Sequence, residues 1–197
     1  MLAVLSPWLG IRELSAPSWN FVKERDGISV YTRKEPNSSL KAFKGVMEFR
    51  ADMEQVYSLL ADAKNFDGWD KSIRDIKVLS FEKDKSSLYY LIYDLPWPLA
   101  DRDICAEAMT SMDPDSGRKI IASRSLPDSV PEKPNLVRIK KYWQRWTIEP
   151  LAAGFLRLTL EGFADPSGSV PSWLYNMVIV DTPMKLMREI KSRMQGN

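Results

Sequence analysis

Apolar and polar residues alternate over 28–33 (Ile-Ser-Val-Tyr-Thr-Arg), and over 40–49 the residues Phe43, Gly45, Met47 and Phe49 share one face. Both stretches are therefore expected as strands. The segment 18–23 reads as a short strand or the end of a helix, and Arg25-Asp26-Gly27 after it is a turn signal. The period changes over 52–61, where Met53, Val56, Tyr57, Leu59 and Leu60 recur at helical steps and Asp52 supplies the acidic group that suits a helix N-terminus. From 73 onward strands are expected over 73–81, 88–95, 104–112, 119–126, 136–148 and 155–164. Turn-forming runs separate them, among them Lys83-Asp84-Lys85, Asp113-Pro114-Asp115-Ser116-Gly117 and the segment 127–134. Successive strands with short links predict an antiparallel meander.

The last thirty or so residues follow a helical period again. Asp165-Pro166, Ser167-Gly168 and Pro171 make a turn, and Ser172 stands where an N-cap belongs. Beyond it Trp173, Met177, Val180, Met184 and Met187 form one apolar stripe, widened by Ile179, Leu186 and Ile190. Pro183 inside this pattern is expected to bend a single long helix. The stripe has either a sheet to cover or a cavity to close, and methionine suits irregular apolar partners. The pattern of helix, long meander, long helix predicts an α+β fold. A curved antiparallel sheet wraps the C-terminal helix and leaves room for an internal hydrophobic cavity.

Composition narrows the function. The chain has 197 residues, enough for one domain with a sizeable core. A net charge of +2 with 27% charged residues describes a mixed surface, with no basic stripe for nucleic acid. The local patch of Arg138, Lys140 and Lys141 is expected as a solvated strand edge. There is no histidine and one cysteine, Cys105. No intrachain disulfide, histidine-ligated metal or Ser-His-Asp arrangement can form, so no metal, cofactor or catalytic residue is expected. Cys105 reads as a small buried packing residue. No apolar run is long enough to span a bilayer. Residues 1–17 read as a short apolar arm without a basic leader, packing on the body or touching a membrane, ahead of one domain over 18–197. A soluble, cytoplasmic protein is the expectation.

Four stretches carry a family resemblance. Asp26-Gly27-Ile28-Ser29-Val30-Tyr31-Thr32-Arg33 resembles the opening strand of START domains, the lipid-transfer modules of the Bet v 1-like, polyketide cyclase superfamily. Trp69 resembles the family's loop tryptophan. Pro96-Trp97-Pro98-Leu99-Ala100-Asp101-Arg102-Asp103 resembles its internal Pro-rich motif, and 165–176 resembles the lead-in to its last helix. The resemblance spans about 19–194. It implies a helix-grip fold enclosing a tunnel for a lipid or another hydrophobic molecule, which such domains bind and transfer, with transient contact at a membrane surface.

The expected wall and mouth of that tunnel are Trp69, Tyr89, Leu91, Tyr93, Trp97, Trp146, Trp173, Met177, Val180, Met184 and Met187. Trp143 and Trp146 face opposite sides of one strand, and Trp146 is taken as the inward one, with Tyr142, Gln144 and Ile148. Asp101, Arg102 and Asp103 are expected to form a structural ion pair that fixes the turn. Sterol-binding relatives imply a buried acid–arginine pair on neighbouring pocket strands. Here the strand after Arg102 offers Ala106, Ala108 and Thr110 on one face and Cys105, Glu107 and Met109 on the other, so a tyrosine hydroxyl or Thr110 takes that place. The alternative reading is a polyketide cyclase or aromatase using the same cavity, with Tyr89, Tyr93, Asp94 and Arg124 as acid–base groups. A third is a groove that receives another protein chain.

Overall fold

The computed structural model describes residues 18–95, 99–168 and 170–196. The apolar arm and Trp97 lie outside the described residues, as does the side chain of Trp69. In chain order the elements are β1 (Asn20–Arg25), β2 (Ile28–Lys34), β3 (Lys41–Arg50), α1 (Met53–Ala61), α2 (Phe66–Trp69), β4 (Ile73–Glu82), β5 (Ser86–Tyr93), β6 (Arg102–Met112), β7 (Lys119–Ser125), β8 (Val137–Arg138), β9 (Tyr142–Pro150), β10 (Phe155–Ala164), α3 (Ser172–Val178) and α4 (Thr182–Gln195).

The strands form one sheet in the order β1-β2-β3-β10-β9-β7-β6-β5-β4, antiparallel at every step. The sheet curves but does not close, and β1 and β4 remain as edges. Both carry register shifts, at Phe21/Lys23 in β1 and at Ile73/Asp75 and Val78/Ser80 in β4. Such bulges twist an edge away from pairing with another chain. The β1–β2 turn is built by Asp26 and Gly27, with φ of 59° and 76°. Two successive positive φ values match the right-handed twist of a tight hairpin, and Asp-Gly is among the pairs that adopt them readily.

Alternation along the strands sorts the core. Tyr89, Leu91, Ile104, Ala106, Ala108, Trp146 and Ile148 point to the concave face, where they join Val56, Leu60, Met184, Met187 and Ile190 from the helices. Tyr90, Ile92 and Cys105 point to the convex face and pack under the chain around Val130 and Leu136. Helix α1 is capped by Asp52, whose carboxylate accepts from Gln55 N at 2.9 Å.

Three expectations change here. The C-terminal segment is two helices, not one bent helix. The break falls at 179–181, and Pro183 sits in the first turn of α4, where its missing N–H leaves no bond unmade. Ser172 is not a cap. Pro171 holds that position, and the Ser172 hydroxyl lies 2.6 Å from the Ser39 hydroxyl, tying α3 to the β2–β3 loop. The strand expected over 136–148 is also divided. Its first part, β8, runs parallel to β6, while β9 lies between β7 and β10.

Helix α4 lies directly on β3 because Gly45 has no side chain. A Cβ there would stand 2.7 Å from Pro183 Cβ and 2.8 Å from Met187 Sδ. The close approach buries Pro183, Met184, Leu186, Met187 and Ile190. The helix ends at Gly196 in the left-handed conformation, φ 73°.

Candidate ligand cavity

Two chambers lie between the concave face and the helices. The first, about 240 Å³, is walled by α1, β5, β7 and β9, with Tyr57, Leu60, Tyr89, Leu91, Ile121 and Trp146 on its lining. Its outer end reaches the β4–β5 hairpin at 82–86. There the Tyr57 hydroxyl donates to Asp84 Oδ1 at 3.0 Å, and Lys119 Nζ lies 4.2 Å from the Tyr57 ring centre. The second chamber, about 290 Å³, lies toward α3 and is lined by Phe43, Arg102, Ile104, Phe163, Tyr175 and Ile179 among others. Both linings include Asp70, Tyr93, Tyr142, Gln144 and Leu186, so the chambers meet at a polar belt.

Strand alternation places the belt. Tyr89 and Tyr93 share the concave face of β5, and Tyr142, Gln144 and Trp146 share that of β9. The Tyr89 hydroxyl donates to Ser123 Oγ at 3.2 Å, and the Tyr142 hydroxyl donates to Gln144 Oε1 at 3.2 Å. Burial raises the pKa of Tyr89 and carries those of Tyr93 and Tyr142 well above the usual phenol range. These phenols are neutral hydrogen-bonding groups at physiological pH. A general base is instead tuned toward neutrality.

The other expected site residues are distributed by the helix break. Trp173 and Met177 face solvent, 69% and 58% exposed, and line neither chamber. Val180 is partly buried against the core. Met184 and Met187 are buried but likewise line neither chamber. The helix is interrupted at 179–181, and the α4 residues at the cavity are Thr182 and Leu186. Arg124 pairs with Glu107 at 3.0 Å on a partly exposed face, away from both chambers, while Asp94 pairs with Arg74 at 2.8 Å at the rim of the second.

Asp101, Arg102 and Asp103 do not form the expected ion pair with one another. Adjacent residues of a strand point to opposite faces. Asp101 pairs with Arg74 and accepts from Leu95 N. Arg102 turns to the concave side, where its guanidinium donates to the carbonyls of Ala100, Pro166 and Ser167, holding the 165–168 turn in place. Asp103 turns to the convex side and meets Arg138 at 2.9 Å, with both side chains 1% exposed. Arg138 is therefore no solvated edge residue. It also donates to the carbonyls of Pro127, Val130 and Pro131, while the Tyr90 hydroxyl donates to Asp103 at 2.7 Å. Burial alone raises the Asp103 pKa, but the bonds from Arg138 and Tyr90 prevail and hold it below the usual carboxylate range. A buried acid–arginine pair thus exists, on the outer face of the sheet and not in the pocket.

The reading of the sequence missed Phe66, Asp70, Ser123 and Leu186 on the linings. The concave parity of β7 carries Ile121 and Ser123 together, which is a signal the alternation contained. The phase of α4 had no such signal. Among the described residues no group of acids and cysteine could hold a metal ion, and no helix is long and apolar enough to cross a membrane.

This architecture recurs in known proteins. Residues 11–197 match the START domain. An uncharacterized protein of Pseudomonas aeruginosa is 30% identical, over 90% of this chain and 87% of its own. The phosphatidylcholine transfer protein of Rattus norvegicus is 30% identical over 83% of this chain and 77% of its own. Among solved structures, the STAR-related lipid transfer protein fragment from Xanthomonas axonopodis superposes with a TM-score of 0.82 at 29% identity, covering 90% of this chain and 98% of that one. A curved sheet gripping a C-terminal helix, in register with a family match over nearly the whole sequence, leaves one assignment: the chain belongs to the START domain family.

Proposed function

We propose that this protein binds a lipid inside the paired chambers and carries it between membranes. The observation that carries the reading is the cavity itself, in which buried apolar side chains such as Leu60, Leu91, Ile121 and Trp146 on one side and Phe43, Ile104 and Phe163 on the other flank the shared polar belt. The likeness to lipid transfer proteins supports it. Burial of a lipid's apolar surface supplies the driving force, at ~25 cal/mol per Å² before ordering costs. Native mass spectrometry of the protein after incubation with mixed-lipid vesicles tests it. A one-to-one lipid adduct is expected, and a persistently bare mass under those conditions would sink the reading. The cyclase alternative finds no support in the cavity's high-pKa phenols.

Carrying a lipid requires contact with a bilayer, and α3 supplies the surface. Tyr175 and Ile179 at this helix line the second chamber, whereas Trp173, Met177 and Val178 are 69%, 58% and 52% exposed. A tryptophan beside aliphatic residues suits the headgroup boundary, where one side of the ring is apolar and the other wet. Replacing Trp173 and Met177 together with serine is expected to slow transfer between vesicles and weaken vesicle co-sedimentation by about tenfold or more, since each side chain removes about 1.5–3 kcal/mol of apolar burial. The amount of lipid held at saturation stays the same, because neither residue touches the cavity. Unchanged transfer would move the contact surface elsewhere.

A further inference from the structure

The second chamber holds a positive charge that no anion answers. Arg102 is 3% exposed and lines this chamber and not the first. Among the described residues no carboxylate pairs with it. Asp101 is turned to Arg74 and the Leu95 amide, and Asp103 to Arg138. Burial lowers the Arg102 pKa, and the charge of Asp101, acting through space, offsets this only in part. A guanidinium nonetheless keeps its proton at physiological pH. The carbonyls of Ala100, Pro166 and Ser167 solvate the cation without neutralising it, and a buried charge without a counter-charge is costly. An anion in the chamber removes that cost.

The guanidinium also has donors to spare. Arginine carries five N–H groups. Here Nε donates to Pro166 O at 3.1 Å, Nη2 to Ser167 O at 3.3 Å and Nη1 to the Ala100 carbonyl. One N–H is left on each terminal nitrogen, and a pair of guanidinium N–H groups suits two oxygens of one phosphate or carboxylate. A further donor is anchored on the same turn. Tyr175 lines the second chamber, and its hydroxyl accepts from Ala164 N at 3.4 Å, which leaves its own proton to be donated. Burial raises the Tyr175 pKa, so that proton is in place at neutral pH. The acids of this wall are engaged elsewhere. Asp94 pairs with Arg74 at 2.8 Å, and Asp70, at the belt, accepts from the amide and the hydroxyl of Ser72 at 3.1 and 2.6 Å.

We infer that Arg102, with Tyr175, is the site for an anionic lipid head, a phosphate group, in the second chamber, with the apolar part of the lipid extending across the belt toward the first. The inference rests on the lipid-binding reading above and specifies where the head sits and what charge it carries there. A phosphate has more oxygens than the guanidinium pair occupies and so leaves one for the Tyr175 hydroxyl. Dioctanoylphosphatidic acid and dioctanoylglycerol differ by the phosphate alone. Titrating the full chain with each as a monomer, and with inorganic phosphate, read by native mass spectrometry and intrinsic tryptophan fluorescence, tests the inference. The phosphatidic acid is expected to bind one to one and at least tenfold more tightly than the diacylglycerol, the usual effect of hydrogen bonds to a charged group. Equal affinity for the two overturns the phosphate site and leaves the lipid-binding reading standing. Inorganic phosphate binding as tightly as the phosphatidic acid makes this a site for the free ion and overturns the lipid head. Binding of neither lipid overturns the lipid-binding reading and the inference with it.

The ratio of the two lipid affinities separates binding from support of the turn. In Arg102→Met it is expected to collapse from tenfold or more to within about threefold, because the phosphate loses its cation while the diacylglycerol does not. A purely structural Arg102 would weaken both lipids alike and leave the ratio unchanged. Tyr175→Phe keeps the ring and the packing of α3, and serves where Arg102→Met does not fold. It is expected to lower the affinity for the phosphatidic acid about three- to tenfold, the effect of one hydrogen bond to an anion, with dioctanoylglycerol bound as in the parent. A parent ratio kept in both variants, or in Tyr175→Phe alone where the other does not fold, places the phosphate elsewhere and overturns the assignment.

Discussion

Arg138→Ala is expected to destabilise the protein by about 3–5 kcal/mol, the usual cost of removing one partner of a buried ion pair. The side chain is 1% exposed, and its guanidinium holds Asp103 together with the carbonyls of Pro127, Val130 and Pro131. Its loss leaves a buried carboxylate and an untied loop over the convex face. Urea unfolding measures the effect as a lower midpoint. Its pH dependence has a definite sign. The folded Asp103 has a lowered pKa, so its contribution is present above the ordinary aspartate value of about 3.9 and is lost as pH falls through the lower folded value. In the variant the carboxyl is buried without its cation and gains stability on protonation. The gap between parent and variant is therefore largest near neutrality, begins to narrow as pH falls through the variant's raised folded value, and closes below the parent's lowered one. Replacing Asp103 and Arg138 together with leucine is expected to cost much less than the sum of the two single changes, because no charge is left buried alone. A constant gap from neutral to acid pH would mean that the pair contributes packing only.

That pair also marks how far the sequence could be read. Period-two alternation identified the concave face of β5 and β9, and with it Tyr89, Leu91, Tyr93 and Trp146 on the cavity wall. These positions were legible because a residue's side of a strand follows from parity alone. The fate of Asp101, Arg102 and Asp103 was not. Parity separates Arg102 from Asp103, but their partners come from Pro166 and Arg138, more than thirty residues along the chain. Arg138 beside Lys140 and Lys141 looked like surface charge, and only the covering loop that includes Val130 and Leu136 makes it interior. The C-terminal helix failed for a different reason. One apolar period runs through Trp173, Met177, Val180, Met184 and Met187, yet the chain breaks at 179–181, so the stripe divides into an exposed part and a buried part. Hydrophobic spacing reports a face only while the helix is continuous.

Trp146→Ala joins the stability of the core to the choice of ligand. Trp146 is 3% exposed, stands opposite Leu160 on β10 and Ile121 on β7, and forms part of the first chamber's wall. Truncation is expected to destabilise the empty protein by about 3–5 kcal/mol, since a buried tryptophan loses both its transfer energy and the contacts around the void it leaves. The same void enlarges the chamber. A diacyl phospholipid is expected to bind the variant more tightly than the parent and to restore part of the lost stability, by an amount that grows with ligand concentration over Kd. Urea unfolding with and without dioleoylphosphatidylcholine vesicles reads both effects. Stabilisation by that lipid is expected to be larger for the variant than for the parent. If the variant is destabilised yet gains nothing from the larger lipid, Trp146 supports the sheet without limiting the cavity.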